Sequence, residues 1–210
     1  MSRLRKASRM WRDDSARDAA SRVMLSQEVP YFAVEPDAIF PRRAPLEIEI
    51  GAGKGEFIIE HAAAHPERNF LAIELSKVVG QLLAVRCGRA ELPNVRVARI
   101  DARMLVNLML PDASVAAFHI YYPDPWPKER HIKHRMVTPY FARSLARTLI
   151  PEGAVYSASD VKPWAEEIFA MLEGGGFRRI DLEPPGARRT GFARKYLAQG
   201  KPVYFASFAK

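Results

Sequence analysis

A glycine-rich turn follows a short apolar segment in the first half of the chain. Residues 46–50 run directly into Gly51, Gly53 and Gly55, and a helix is predicted to begin near Glu56. Glycines at a strand-to-helix turn let the backbone pass close to a ligand, because no Cβ atom keeps the ligand away. The turn therefore predicts a binding site for a nucleotide-containing cofactor.

Phosphate-bearing cofactors fit this turn poorly. The dinucleotide fingerprint requires a glycine three residues after Gly53, and this chain has Glu56 there, so a bound phosphate would meet a carboxylate. The phosphate loop of nucleoside triphosphatases is also excluded, because no Gly-Lys-Ser or Gly-Lys-Thr follows the turn. The sequence thus disfavours NAD and ATP.

Three acidic residues fall at the ends of three successive predicted strands. Glu49 lies beside the glycine turn, Glu74 closes the second strand and Asp101 closes the third. Each acid taken alone could be a solvated strand end, but together they line the sheet edge where open α/β sheets bind ligands. Their charge favours a cationic ligand, and S-adenosylmethionine has a sulfonium, an ammonium and a ribose but no phosphate. We therefore predict S-adenosylmethionine as the cofactor.

A proline-rich loop with an acid, an aromatic and several cations follows the fourth predicted strand. Its sequence from 121 to 135 reads Tyr-Tyr-Pro-Asp-Pro-Trp-Pro-Lys-Glu-Arg-His-Ile-Lys-His-Arg. The prolines fix φ and hold Asp124 and Trp126 in set directions. An acceptor for a base edge, a stacking face and phosphate contacts together suit a nucleotide. His131 and His134 have no apparent third ligand, so no metal site is predicted.

Charge and size narrow the class of protein. The 210 residues have a net charge of +8 and 48% hydrophobic residues, typical of one globular domain. Three segments, 1–22, 126–147 and 178–210, hold 21 lysines and arginines against 6 acids, an asymmetry that favours a polyanionic partner over mere solubility. No apolar run reaches membrane-spanning length, and a single cysteine, Cys87, fits a reducing compartment. We predict a cytoplasmic protein without membrane contact.

Short apolar runs alternate with helix-length stretches from Leu46 onward, which predicts an α/β fold with a mostly parallel sheet. The last two strands show no helix between them, so the sheet is expected to end antiparallel. Residues 1–40 are predicted to form a basic N-terminal arm and residues 41–210 a single domain. The predicted strands are 46–50, 70–74, 95–100, 115–121, 154–158, 178–182 and 203–208, with Ser76 and Thr138 as helix N-caps.

These motifs resemble those of the bacterial tRNA (guanine-N7-)-methyltransferases from Pro45 to Lys210. The resemblance rests on the segments 49–55 and 69–74, Asp101, the Pro-Asp-Pro-Trp-x-Lys-x-Arg-His-x-Lys run, Ser159-Asp160 and the Thr190 segment. The glycine turn is common to class I methyltransferases, whereas the Pro-Asp-Pro-Trp run is nearly restricted to this family. The resemblance implies a Rossmann-like, seven-stranded, mostly parallel sheet with an antiparallel last strand and helices on both faces.

By resemblance, Glu49, Glu74, Asp101 and Asp124 line the cofactor pocket, while Lys128 and Asp160 contact the substrate. The implied reaction is methyl transfer from S-adenosylmethionine to N7 of a guanine in the tRNA variable loop, by a monomer or homodimer. Asp124 and Asp160 are predicted to be catalytic, because a carboxylate can accept guanine N–H donors and stabilise the alkylated ring. Arg130, Thr190 and Arg194 complete the predicted substrate contacts.

The chain departs from the family pattern in two places. The family has Thr-x-x-Glu where this chain has Thr190 followed by Ala193, and Pro127 follows Trp126 where histidine is common. Two alternatives therefore stay open. One is a tRNA-binding descendant with lost or weakened catalysis, and the other is a methyltransferase for another RNA, a protein or a small molecule.

Overall fold

The structure is a computed structural model that describes residues 10–25, 35–125 and 135–210. The chain divides into two compact units, Met1–Ala102 and Arg103–Lys210. Within the described residues, no helix is both long enough and apolar enough to cross a bilayer.

The first unit alternates strands and helices around a short parallel sheet. Strand β2 pairs in parallel with β1 on one side and with β3 on the other, so the carboxyl ends of all three strands share one edge. Every residue of β1 and β2 is buried. The elements are α1 (Asp14–Ser21), α2 (Pro36–Ile39), β1 (Leu46–Ile50), α3 (Glu56–Ala64), β2 (Asn69–Ile73), α4 (Lys77–Arg89) and β3 (Val95–Ala98).

The second unit carries the other four strands. Strand β4 pairs in parallel with β5, and β7 runs antiparallel to both β5 and β6. Helix α5 (Ala102–Met104) begins at the last residue of the first unit and continues into a π-helical turn (Leu105–Met109). The further elements of the second unit are β4 (Val115–Tyr121), α6 (Pro139–Thr148), β5 (Leu149–Ser159), α7 (Lys162–Gly174), β6 (Arg178–Ile180), α8 (Gly191–Leu197) and β7 (Tyr204–Ala209).

The seven strands form a sheet in the order β3-β2-β1-β4-β5-β7-β6. The predicted seven-stranded, mostly parallel sheet with an antiparallel last strand is therefore confirmed. The expectation that no helix separates the last two strands is wrong, because α8 lies between β6 and β7. Strand β5 also begins five residues earlier than predicted, since a register shift opposite residues 115–117 accommodates Pro151 and Gly153.

Ser76 and Thr138 are the N-caps of α4 and α6, as the sequence predicts. The Ser76 hydroxyl accepts the Val79 N–H at the start of α4, and the Thr138 hydroxyl accepts the Phe141 N–H at the start of α6, 3.1 Å away. These side chains satisfy backbone donors that a helix leaves unpaired in its first turn.

Part of the predicted N-terminal arm is packed into the first unit. Helix α1 buries Ala16, Ala19 and Ala20 and lies along α4. The contact is so close that a Cβ atom at Gly88 would lie 1.8 Å from the Ala19 carbonyl oxygen, so only glycine fits there. Met24 then forms a parallel bridge with Val97 of β3, which extends the sheet edge. The domain boundary near residue 40 stays a prediction.

Candidate functional site

The glycine turn after β1 has the backbone conformation that its sequence predicts. Gly51, Gly53 and Gly55 all have φ between 57° and 77°, a left-handed conformation that side chains with a Cβ rarely adopt. At Gly55, an added Cβ atom would also lie 2.6 Å from Cδ1 of Leu83 in α4. The turn thus packs closely against α4, and its glycines leave no side chain between the backbone and a ligand.

Glu74 supports the glycine turn directly. One of its carboxylate oxygens accepts the Gly53 N–H at 3.1 Å and the other accepts the Ser76 N–H at 2.8 Å. These bonds fix the carboxylate at the end of β2 and link the first two strand ends. A carboxylate oxygen has more than one lone pair, so the same group can still accept the hydroxyls of a ribose.

Glu49 is the most unusual acid in the described part of the chain. Its side chain is buried on β1, and its Oε2 atom has no hydrogen-bond partner. Burial, reinforced by the negative charges of Glu56 and Glu74, raises the pKa of Glu49 well above its usual value. A positive charge close to such a carboxyl group stabilises its ionised form.

Asp101 is half-buried and lies just after β3, on the carboxyl edge shared with β1 and β2. All three predicted strand-end acids therefore fall on one edge of the first unit. Strands β1 and β2 pair in register up to Ile50 and Ile73, so the strand ends with Glu49 and Glu74 lie side by side. This arrangement fits S-adenosylmethionine, because carboxylates can pair with its positive charges and accept its ribose hydroxyls. S-adenosylmethionine has no phosphate group that would have to bind at the glycine turn.

In the second unit, the two ends of the proline-rich loop are firmly held. The Trp164 Nε1–H donates to the Pro123 carbonyl oxygen at 3.2 Å, and the Arg135 Nε–H donates to the Pro125 carbonyl oxygen at 3.1 Å. Arg135 also lies 4.6 Å above the Trp164 ring. Asp124 sits between these anchors and is exposed. Trp126, and the predicted substrate contacts Lys128 and Arg130, lie outside the described residues.

Tyr121 and Tyr122 at the end of β4 fasten the loop that precedes α8. The Tyr121 hydroxyl accepts the Gly186 N–H at 3.0 Å, and the Tyr122 hydroxyl donates to the Ala187 carbonyl oxygen at 2.7 Å. Tyr122 has φ = 54°, which is unusual for an aromatic residue and is held by its N–H bond to Ala158. The loop therefore occupies one position relative to β4.

Asp160, which follows β5, lies next to aromatic side chains that the sequence analysis did not combine with it. The negative charge of Asp160 raises the pKa of Tyr196, and burial together with that charge raises the pKa of Tyr122. The Phe192 ring is 58% exposed and stacks with the rings of both tyrosines, at 6.2 Å between centroids in each case. Phe192 and Tyr196 are four residues apart, a spacing that places two side chains on the same face of a helix. This spacing could have indicated the aromatic pair only if a helix had been predicted there.

Thr190 and Arg194 take different positions on α8. The Thr190 hydroxyl accepts the Ala193 N–H at 3.1 Å and caps the helix, whereas the Arg194 side chain is exposed. Ala193, which stands where the family pattern has glutamate, is completely buried. The substrate contacts predicted for Thr190 and Arg194 stay predictions, and the structure adds a capping role for Thr190.

Comparison with known proteins identifies the family. Residues 43–206 match a family model described as "Putative methyltransferase". The chain is 37% identical over 196 residues to the tRNA (guanine-N(7)-)-methyltransferase of Syntrophotalea carbinolica, which covers 87% of this chain and 84% of the relative. The chain belongs to the tRNA (guanine-N7-)-methyltransferase family. The member from Geobacter metallireducens is 35% identical, with 89% of this chain and 96% of the relative covered.

Solved structures confirm the fold of this family member. The crystal structure of the 16S rRNA methyltransferase KamB superposes with a TM-score of 0.62 at 15% identity, covering 89% of this chain and 98% of that chain. A SAM dependent methyltransferase from Aquifex aeolicus gives a TM-score of 0.57 at 13% identity, covering 100% and 99%. At these identities the likeness shows the fold alone, which is the class I methyltransferase fold predicted from the sequence.

Proposed function

We propose that this protein transfers a methyl group from S-adenosylmethionine to N7 of a guanine in tRNA. The observation that carries the proposal is the similarity, over most of the chain, to proteins named tRNA (guanine-N(7)-)-methyltransferases. The geometry supports it, because one unit offers a glycine turn with strand-end acids and the other offers an acid among aromatic rings. The predicted cytoplasmic location, the monomeric or homodimeric state and the lack of a metal stay predictions.

The first unit is suited to hold the cofactor. Glu74 faces the glycine turn and can accept ribose hydroxyls, and the buried Glu49 carboxyl lacks a hydrogen-bond partner at Oε2 and can pair with a positive charge. When bound, S-adenosylmethionine supplies a methyl group on a positively charged sulfur. Asp101 completes the set of cofactor acids proposed for the first unit, and the cofactor contact of Asp124 stays a prediction.

The chemistry asks little of the protein beyond positioning. N7 of guanine has an in-plane lone pair that is unprotonated at neutral pH, so no side chain has to remove a proton before the N7–methyl bond forms. The guanine ring becomes positively charged, and a nearby carboxylate stabilises that charge. Asp160 and Asp124 are proposed for this role, with Asp160 accepting N–H groups of the Watson–Crick edge.

Affinity for tRNA is assigned to the basic residues of three segments: 1–22, 126–147 and 178–210. Lysines and arginines there neutralise backbone phosphates, which contribute binding free energy and little sequence information. Lys128, Arg130 and Arg194 belong to this set. A methyltransferase acting on a small molecule would have no use for such a distribution of charge.

Replacement of Asp160 tests whether this residue binds the substrate guanine and not the cofactor. Asp160→Ala should reduce methyl transfer to bulk tRNA by about tenfold or more, because a carboxylate accepting N–H donors of the base is lost. S-adenosylmethionine affinity, measured by calorimetry, should stay within about twofold of wild type. The exposed Asp181 is a matched control, and Asp181→Ala should change neither quantity.

Two outcomes would contradict the proposed role of Asp160 or the proposed activity. An Asp160→Ala variant that methylates tRNA as fast as wild type would remove Asp160 from the guanine site. A wild-type protein that binds S-adenosylmethionine and tRNA but forms no product would favour the non-catalytic tRNA-binding descendant suggested by Ala193.

A further inference from the structure

One aromatic side chain of α8 is exposed to solvent. Phe192 is 58% exposed, although the next residue, Ala193, is completely buried. Single apolar side chains are common on protein surfaces and need no explanation. Phe192 is not single, because its ring stacks with Tyr122 at an interplanar angle of 17° and with Tyr196 at 30°, with centroids 6.2 Å apart in each pair. We call these three side chains the aromatic platform.

The aromatic platform is held in place by hydrogen bonds on both sides. The Tyr122 hydroxyl donates to the Ala187 carbonyl oxygen at 2.7 Å, which ties the end of β4 to the loop before α8. The Thr190 hydroxyl accepts the Ala193 N–H at 3.1 Å and caps the helix that carries Phe192. A ring fixed before a ligand arrives loses little conformational entropy on binding, so the platform is suited to a flat ligand.

The platform adjoins the strand ends that lead to the two acids proposed to bind guanine. Strands β4 and β5 are parallel, and Tyr121 pairs with Ala158 at their carboxyl ends. The Tyr122 N–H donates to the Ala158 carbonyl oxygen at 2.7 Å. Asp124 follows Tyr122 by two residues, and Asp160 follows Ala158 by two residues. Tyr122 therefore places one end of the platform at the edge of the sheet from which both acids extend.

The charges around the platform favour a nucleotide as its ligand. The sequence from 184 to 210 has six lysines or arginines and no acidic residue. The ammonium groups of Lys195 and Lys201, both exposed residues, lie 5.4 and 5.0 Å from the centroid of the Tyr196 ring. Aromatic rings beside cations are typical of sites for unpaired nucleotides, because the base stacks on a ring and the phosphate pairs with a cation.

We propose that the exposed ring of Phe192 is the surface on which the substrate guanine stacks during methyl transfer. The inference rests on the proposed function and adds a contact that is absent from the site residues predicted from the sequence. Stacking uses the face of the base and leaves its edges free. A carboxylate can then accept the N–H groups of the Watson–Crick edge, while N7 receives the methyl group in the plane of the ring. Phe192 thus sets the plane of the guanine, and the acids set its rotation within that plane.

The first experiment compares two substitutions of Phe192 in methyl transfer to bulk tRNA. Phe192→Leu keeps an apolar side chain but removes the π face, so kcat/KM for tRNA should fall about tenfold at unchanged S-adenosylmethionine affinity and Tm. Phe192→Tyr keeps the π face and should stay within about twofold of wild type. Tyr140 is an aromatic residue of α6 with 56% exposure and supplies the matched control. Tyr140→Leu should match wild type in all three measurements.

The second experiment detects the stack itself and does not depend on the stability of Phe192→Leu. A base stacked on an indole quenches its fluorescence, so the emission added by Phe192→Trp, taken as the difference from wild type, should fall when tRNA binds. A tRNA that lacks only the base at the methylated position should bind through its phosphates and quench this emission much less.

Either of two results would overturn the proposal. One is equal quenching by the intact and the abasic tRNA, which would mean that another part of the RNA, or no base at all, meets residue 192. The other is a Phe192→Leu variant as active as wild type. Both are read with a wild type that forms 7-methylguanosine; a wild type that forms none would overturn the proposed function itself.

Discussion

At the scale of single residues, Glu49 shows how a binding site conflicts with stability. A buried carboxyl group without a full set of partners favours the protonated form, as the raised pKa of Glu49 reflects. An approaching sulfonium or ammonium favours the ionised form instead. The same residue therefore weakens the folded state at neutral pH and strengthens the proposed cofactor site.

Glu49→Gln should separate these two effects. Because the pKa of Glu49 is raised in the folded protein, its contribution to the free energy of unfolding is complete below its usual value of 4.5 and is lost as the pH rises through the raised pKa. The variant should gain on wild type in the free energy of unfolding across that window, by about 1.4 kcal/mol per pH unit at most, and its Tm should rise accordingly. It should bind S-adenosylmethionine about tenfold more weakly.

Thermal unfolding across the pH range and calorimetry at neutral pH provide the two measurements. Glu152→Gln, at an exposed position of β5, is the control and should change neither Tm nor cofactor affinity. If the Tm difference between Glu49→Gln and wild type is the same at acid and neutral pH, the fold does not hold Glu49 in its protonated form.

At the scale of elements, the sequence patterns located the strands well because their residues are apolar and bounded by turns. Helices α1 and α8 escaped detection for physical reasons. The buried face of α1 consists of alanines, which give little hydrophobic contrast, and α8 lies in a stretch rich in glycine and basic residues that is typical of a loop. The stacking of Phe192 with Tyr122 could not be predicted, since it joins residues far apart in the sequence.

The loop before α8 offers a prediction about how elements are held together. A Cβ atom at Gly186 would lie 2.1 Å from the Tyr121 ring, so Gly186→Ala must displace either the buried ring or the loop that leads to Thr190. We expect a loss of about 1 to 3 kcal/mol in the free energy of unfolding, measured by chemical denaturation, together with reduced methyl transfer.

Gly174→Ala is the matched control for that substitution. Nothing lies within 4 Å of a Cβ atom added there, at the end of α7, and alanine is the better helix former. This variant should be at least as stable as wild type. Equal stability of Gly186→Ala and wild type would mean that the Tyr121 contact does not hold the loop.

At the scale of the whole molecule, the acids proposed to bind the cofactor and the cations proposed to bind tRNA occupy different segments of the chain. The acids that suit a cationic cofactor lie at strand ends of the first unit, and the cations that suit a polyanion are concentrated in 1–22, 126–147 and 178–210. The fold could be predicted from alternating apolar runs, and the family from motif residues. The aromatic surroundings of Asp160 became evident only from the structure.

The measurement that tests the central claim most directly is nucleoside analysis of bulk tRNA incubated with the purified protein and labelled S-adenosylmethionine. We predict that the label appears as 7-methylguanosine, and that Asp160→Ala reduces its yield while Asp181→Ala does not. Label in any other nucleoside, or none in tRNA despite measurable S-adenosylmethionine binding, would contradict the proposed methylation of guanine N7.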